Sequence, residues 1–224
     1  MTPALPPTVA DFRVHYRTRY LGPRYRGWVH FAVTSLGSLA AIVVAAALVR
    51  SPSLAELATI PAAFLIANFA EYFGHRGPMH HRTRGLGILF DRHARQHHRF
   101  FTADAMAVDS SRDFHMVLFP PVMLLFFLGA IAVPIGALLY LAISPNVGFL
   151  FAATGVSYFL TYEWLHFAYH QPEDGVIGRM WLVRKLRRLH TVHHHTPLMT
   201  TANFNITFPI ADRVMGTLRR SIES

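Results

Sequence analysis

The sequence contains no cysteine. That excludes disulfides, zinc–thiolate sites, Cys-ligated iron–sulfur clusters and a cysteine nucleophile. Lysine is almost missing as well: Lys185 is the only one, so the basic residues are arginines. Charge of either sign is scarce. Asp, Glu, Lys and Arg make up 15% of the 224 residues, where an ordinary globular chain carries about 25%. Acidic residues number 12 against 21 basic ones, a net charge of +9 at pH 7. Hydrophobic residues fill 52% of the chain, and the mean hydropathy is +0.29. Such a composition excludes an ordinary soluble domain. Histidine, by contrast, is abundant: 15 residues, more than Asp and Glu together.

Four stretches have the composition of bilayer spans. The first, Trp28 to Val49, is apolar apart from His30 and small hydroxyls. At a rise of 1.5 Å per residue it reaches about 33 Å, enough for a hydrocarbon core of about 30 Å. The second runs from Leu54 to Phe73, with Glu56 and Glu71 near its ends. The third, Phe114 to Ile143, is too long for one straight span. Pro120, Pro121 and Pro134 interrupt it, which predicts a bent helix or a tight helical hairpin. The fourth is Val147 to Tyr169. No cleavable signal peptide is expected, because the Arg-rich N-terminus precedes an apolar run long enough to remain as an anchor. The chain therefore reads as an all-α integral membrane protein with about four transmembrane helices. Residues 1–27 form an N-terminal arm, 28–218 a single membrane domain and 219–224 a tail.

Arginine sets the expected orientation. Arg13, Arg17, Arg19, Arg24 and Arg26 precede the first stretch, and Arg76 to Arg112 supply seven more after the second. A further group, from Arg179 to Arg220, follows the fourth. The opposite connections, Arg50-Ser-Pro-Ser53 and Ser144-Pro145-Asn146, are nearly bare. Both termini and the middle loop are thus expected on the cytoplasmic side of a cell inner membrane, with four crossings. Attraction to anionic headgroups accounts for the basic face. No nucleic-acid motif is present, and nucleic-acid binding is not expected.

Most histidines fall in two windows on that same side. One begins Glu71-Tyr-Phe-Gly-His75-Arg-Gly-Pro-Met-His80-His81 and continues Asp91-Arg-His93-Ala-Arg-Gln-His97-His98. The other begins Glu163-Trp-Leu-His166-Phe-Ala-Tyr-His170 and continues Leu189-His190-Thr-Val-His193-His194-His195. His166 and His170, at i and i+4, share one helix face. So do His190, His193 and His194. His93 and His97 pair in the same way, with His98 turned by about 100°. His75 and His80 are five apart, and a break at Gly77-Pro78 is needed to bring them together. Neutral imidazole binds Fe, Zn, Cu or Ni. Ten well-spaced histidines suit two ions with about five ligands each, a count that favours iron over closed structural zinc. Zinc can occupy the same cage in purified protein. Glu163 and Glu71 lie three and four residues before a histidine of the set. Each is expected to accept a ring N–H and fix a tautomer. His15, His30 and His115 read as ordinary polar boundary residues, and His81 and His195 as bystanders.

These motifs resemble the fatty acid hydroxylase/sterol desaturase superfamily of membrane histidine-box enzymes, most closely its fatty acid 2-hydroxylases. The matching boxes are His75-x4-His80, His93-x3-His97-His98, His166-x3-His170 and His190-x2-His193-His194. Arg112 to Val122, Ala202-Asn-Phe-Asn-Ile206 and Ala211 to Thr217 extend the likeness. The second box has three intervening residues rather than two, and Glu163 stands where an aspartate is usual. The x4 spacing selects His80 over His81.

The resemblance implies a membrane di-iron oxygenase that hydroxylates an unactivated C–H bond of a fatty acyl chain or lipid, with O2 as co-substrate. It implies metal ligands His75, His80, His93, His97, His98, His166, His170, His190, His193 and His194. No flavin, haem or iron–sulfur module is recognisable, so a separate ferredoxin or cytochrome b5-like electron donor is expected. A carotenoid or sterol-type hydroxylase or a lipid desaturase would carry the same cage. A His-rich metal transporter or sensor is the non-enzymatic alternative. It fits less well, because transporter sites lie near the bilayer midplane. A zinc hydrolase needs only three protein ligands.

Overall fold

The computed structural model describes residues 7–223. The first six residues of the expected arm, and residue 224 of the tail, lie outside the described residues. Among the described residues every regular element is helical.

The chain divides into two compact units, each assembled from separated pieces. One comprises Trp28–Ala67 and Phe119–Trp164; the other comprises the described parts of Met1–Gly27, Asn68–Leu118 and Leu165–Ser224.

Among the described residues, three helical stretches are long and apolar enough to cross a membrane: Gly27–Leu48, Leu54–Met79 and Ser111–Ala142. The fourth expected span lies inside one continuous helix, Pro145–Tyr169, of 25 residues. Ser157, Tyr158, Thr161, Tyr162 and Glu163 make it more polar than the others, and it does not join the three by composition.

The prolines of the third stretch act where covalent geometry requires. Phe114–Val117 is one helical turn that ends at Leu118, in extended backbone at φ −78 and ψ 145. Pro120 and Pro121 then disfavour helix in the residues before them. From Val122 the chain is helical through Phe127, Leu128–Ala132 and Val133–Ala142, with right-handed helical dihedrals at both joints. Pro134 cannot donate to the carbonyl of residue 130. The wide π-helical turn at Leu128–Ala132 sits where that bond is missing. The stretch is therefore the bent helix of the two expected forms, and the reversal comes only after Ala142.

That reversal places Val133–Ala142 against Pro145–Tyr169 in very close contact. A Cβ on Gly148 would lie 2.5 Å from the Gly136 carbonyl oxygen and 2.7 Å from Tyr140 Cβ. Only glycine permits this approach, as between packed membrane helices generally. The two sparsely charged turns of the same unit are tied together. Asn146 accepts from the Arg50 N–H at 2.8 Å and donates to the Arg50 carbonyl at 2.9 Å. Glu56 caps Leu54–Leu57 with Ser53 and accepts from Ser144 Oγ at 2.5 Å.

Candidate metal centre

All ten histidines of the boxes are buried, and all belong to the second unit. Two π-helical turns set the local geometry. His75–Met79 contains Pro78, which lacks the N–H that an α-helix would use. In such a turn the hydrogen bond spans i to i+5, so residues five apart approach each other. His80 Nε2 accordingly lies 3.2 Å from His75 Nε2. Asp91–His97 is a second π-helical turn. Here His98 Nε2 lies 3.1 Å from His93 Nε2.

This corrects the α-helical pairing. His93 groups with His98 rather than His97; the His97 ring stacks on His93 with centroids 5.1 Å apart, but its ligand atom belongs to the second group. The Trp181–His193 helix is likewise divided. His193 turns to one group, and His190 and His194 to the other. One group gathers His75, His80, His93, His98 and His193; the second gathers His97, His170, His190 and His194. Within each group the ligand atoms lie within 4.8 Å of one another. His166 stands beside the second group, its Nε2 3.3 Å from His97 Nε2.

Tautomers follow from chemistry, since a carbonyl oxygen can only accept. His97 Nδ1–H donates to Met116 O at 3.1 Å, and His194 Nδ1–H to Phe101 O at 2.7 Å. Both Nε2 atoms therefore carry bare lone pairs, yet they face each other at 3.2 Å. No proton is available to bridge them. The same tautomer is imposed on His75 by Phe204 O at 2.5 Å, on His170 by Met106 O at 2.7 Å and on His193 by Ala202 O at 2.8 Å. Convergent lone pairs of this kind repel unless a cation lies among them. Burial, and then the neighbouring rings, hold His80 down to about 2 and His93, His98 and His193 well below the ordinary imidazole range. His97, His170, His190 and His194 are lowered by burial in the same way. The rings stay neutral at pH 7, the form that binds metal. The donor set fits two divalent ions of the imidazole-preferring class.

Both glutamates accept from backbone N–H groups. His75, which Glu71 precedes by one helical turn, gives its N–H to a carbonyl instead. Glu71 fixes the strip that supplies this carbonyl. It accepts from Ile206 N–H, from Thr207 N–H at 3.0 Å and from Thr207 Oγ1 at 2.7 Å. Glu163, in the other unit, accepts from Phe119 N–H at 3.2 and 3.4 Å. His166 bonds the Val117 backbone. Carbonyls serve as acceptors for His75, His97, His166, His170, His193 and His194, which suits neutral rings in a dry site because they add no charge.

Two residues that sequence reasoning missed hold those carbonyls in place. Asp212 is fully buried and accepts from Phe204 N–H at 2.9 Å, Asn205 N–H at 2.7 Å and Thr217 Oγ1 at 2.6 Å. Arg13, read only as a topology signal, is also fully buried. It donates to Phe100 O at 3.0 Å, Ala107 O at 3.0 Å and Ala105 O at 2.7 Å, and pairs with Asp109 at 2.7 Å. It thereby clamps the segment whose Phe101 and Met106 carbonyls orient His194 and His170. The available signal was an Asp and two Asn in the segment from Ala202 to Thr217. For Arg13 there was none. Of the remaining histidines, His30 bonds Phe119 O at 2.8 Å, His115 bonds Tyr16 Oη at 2.8 Å and His81 bonds Arg76 O at 2.7 Å.

A profile of the fatty acid hydroxylase family matches residues 60–217, more than two-thirds of the chain and every histidine of both groups. The chain belongs to the fatty acid hydroxylase family. No curated protein and no solved structure gives a significant match. The fatty acid hydroxylase assignment accounts for the membrane-compatible helices and for the pairing of histidine windows about ninety residues apart.

Proposed function

We propose that this chain is an inner-membrane di-iron oxygenase that hydroxylates an unactivated C–H bond of a lipid acyl chain. One atom of O2 enters the C–H bond. The other leaves as water, with two electrons drawn from an external ferredoxin or cytochrome b5-like donor and two protons taken from solvent. The observation that carries this reading is the pair of imidazole groups whose lone pairs converge without protons. His75, His80, His93, His98 and His193 would hold one ion; His97, His166, His170, His190 and His194 would hold the other. Bound iron would supply the O2 chemistry.

The chain's own residues do the rest. Carbonyls of Phe101, Met106, Met116, Ala202 and Phe204 keep His194, His170, His97, His193 and His75 in the tautomer that presents Nε2. Burial keeps water from competing. His75 ends one membrane-compatible helix, and His166 and His170 end Pro145–Tyr169, which supports a site reached by acyl chains from the bilayer. Orientation with the histidines on the cytoplasmic side, and four crossings, belong to the same proposal. The arginine-rich surface suits an acidic donor.

The test is expression in a heterologous host followed by lipidomics, comparing wild type with His193→Ala. A lipid carrying one added oxygen atom in the wild type alone is expected. Loss of two hydrogen atoms instead would make the chain a desaturase. The same product in both strains would remove the assignment. Anaerobic reconstitution should load about two iron ions per chain; less than about one would count against the di-iron reading.

A further inference from the structure

One face of the Trp181–His193 helix carries chemistry that the metal centre does not use. Arg184, Arg187, Arg188 and Thr191 line an open pocket of about 720 Å3, joined by Arg179 and Arg220. The carboxylates of Glu173 and Glu223 also line it, so five guanidinium groups stand against two carboxylates. Arg187 is the unusual member. It is only 4% exposed, and its Nε and Nη1 are buried with no hydrogen-bond partner among the described residues. Its one ion pair is long: Glu173 Oε1 lies 3.5 Å from Nε, on a side chain that is 81% exposed. A buried guanidinium with unmade bonds is costly, and its planar fork matches the oxygens of a phosphate. Burial also lowers its pKa from the usual arginine value.

The chain segment that supplies these arginines also exposes apolar side chains. Val176 is 88% exposed, Trp181 72% and Met180 55%, and Lys185 Nζ sits 5.0 Å from the Trp181 ring. A tryptophan beside basic side chains is the pattern of a bilayer interface. A free phosphate compound would need the arginines but not these exposed apolar neighbours.

We propose that the pocket binds the phosphate of an anionic phospholipid headgroup. It seats the Trp181–His193 helix, and so His190, His193 and His194, at the interface. The inference stands on the arginine pocket and its exposed apolar neighbours and does not depend on the oxygenase reading.

The full chain in mild detergent is titrated with phosphatidylglycerol, phosphatidylcholine or inorganic phosphate. Native mass spectrometry counts retained lipid, and thermal shift follows each addition. Wild type is expected to retain one phosphatidylglycerol in preference to phosphatidylcholine. The R184Q/R188Q double variant, altered at exposed positions, should bind it about thirtyfold more weakly, about fivefold per arginine. Helical circular dichroism should be unchanged. Arg187→Gln should lose the lipid as well, and the double variant decides the matter if Arg187→Gln does not fold. Equal binding by wild type and the double variant would overturn the proposal. So would the absence of any preference over phosphatidylcholine. Full competition by inorganic phosphate without such a preference would assign the pocket to a free phosphate compound and overturn the headgroup. Unchanged lipid retention, with loss of salt-dependent reduction by an acidic donor protein, would reassign the arginines to donor docking.

Discussion

In the unit formed by Trp28–Ala67 and Phe119–Trp164, large apolar side chains face outward: Leu36, Val43, Leu125 and Leu141 are all exposed. Its polar contacts gather at turns and helix ends, as at Arg50, Glu56 and Asn146. In the unit that carries the histidines the arrangement is reversed. Ten imidazoles, Arg13, Asp113 and Asp212 are buried there, beside an apolar cluster of Tyr72, Phe204 and Ala211. The first unit is specified by what it presents to an apolar solvent, so composition suffices to recognise it. The second is specified by hydrogen bonds between residues far apart in sequence, where a single lost partner strands several others.

The comparison can be broken most severely at the rings. His97→Ala or His194→Ala removes half of the facing lone-pair pair. Metal content should fall to about one ion per chain or fewer and product by at least about 100-fold, as read by elemental analysis and lipidomics. Between about pH 7.5 and about pH 5, acid should act mainly on the histidine unit. Its rings titrate below their unfolded values, so the unfolded chain binds more protons as pH falls. Stability of the metal-free protein is full above about pH 6.5 and is lost below it. A melting temperature that did not fall between about pH 7.5 and about pH 5 would contradict this.

Arg13→Ala strands the Phe100, Ala105 and Ala107 carbonyls and should destabilise by roughly 3–5 kcal/mol. Arg13→Lys, which keeps charge without the fork, should recover part of that loss in thermal melts. In the apolar unit, Gly148→Ala forces a methyl onto the Gly136 carbonyl and should cost roughly 1–3 kcal/mol. Gly129→Ala, with nothing within 4 Å of its Cβ position, should be neutral or stabilise by up to about 1 kcal/mol. Equal effects at the two glycines would refute the close packing at Gly148.

Much of the centre was legible beforehand. The ten histidines were recognisable from spacing and type, and Glu71 and Glu163 stood out as acidic groups near them. Their roles were not legible. Spacing assumes an α-helix, and a π-helical turn moves the register by about one residue per turn. That is how His97 parted from His93. Tautomer control passed to carbonyls of Phe101, Met106 and Ala202 because any residue has a carbonyl; its identity leaves no trace in the sequence.

Hydropathy and residue type alone were enough for an all-helical, membrane-compatible chain with a metal-binding histidine set, since both depend on the side chains themselves. The sorting of that set into two groups, the clamp by Arg13 and the glycine contact at Gly148 were decided only in three dimensions. Each depends on the distance between atoms that the chain order keeps tens of residues apart or, at Gly148, on how two neighbouring helices meet.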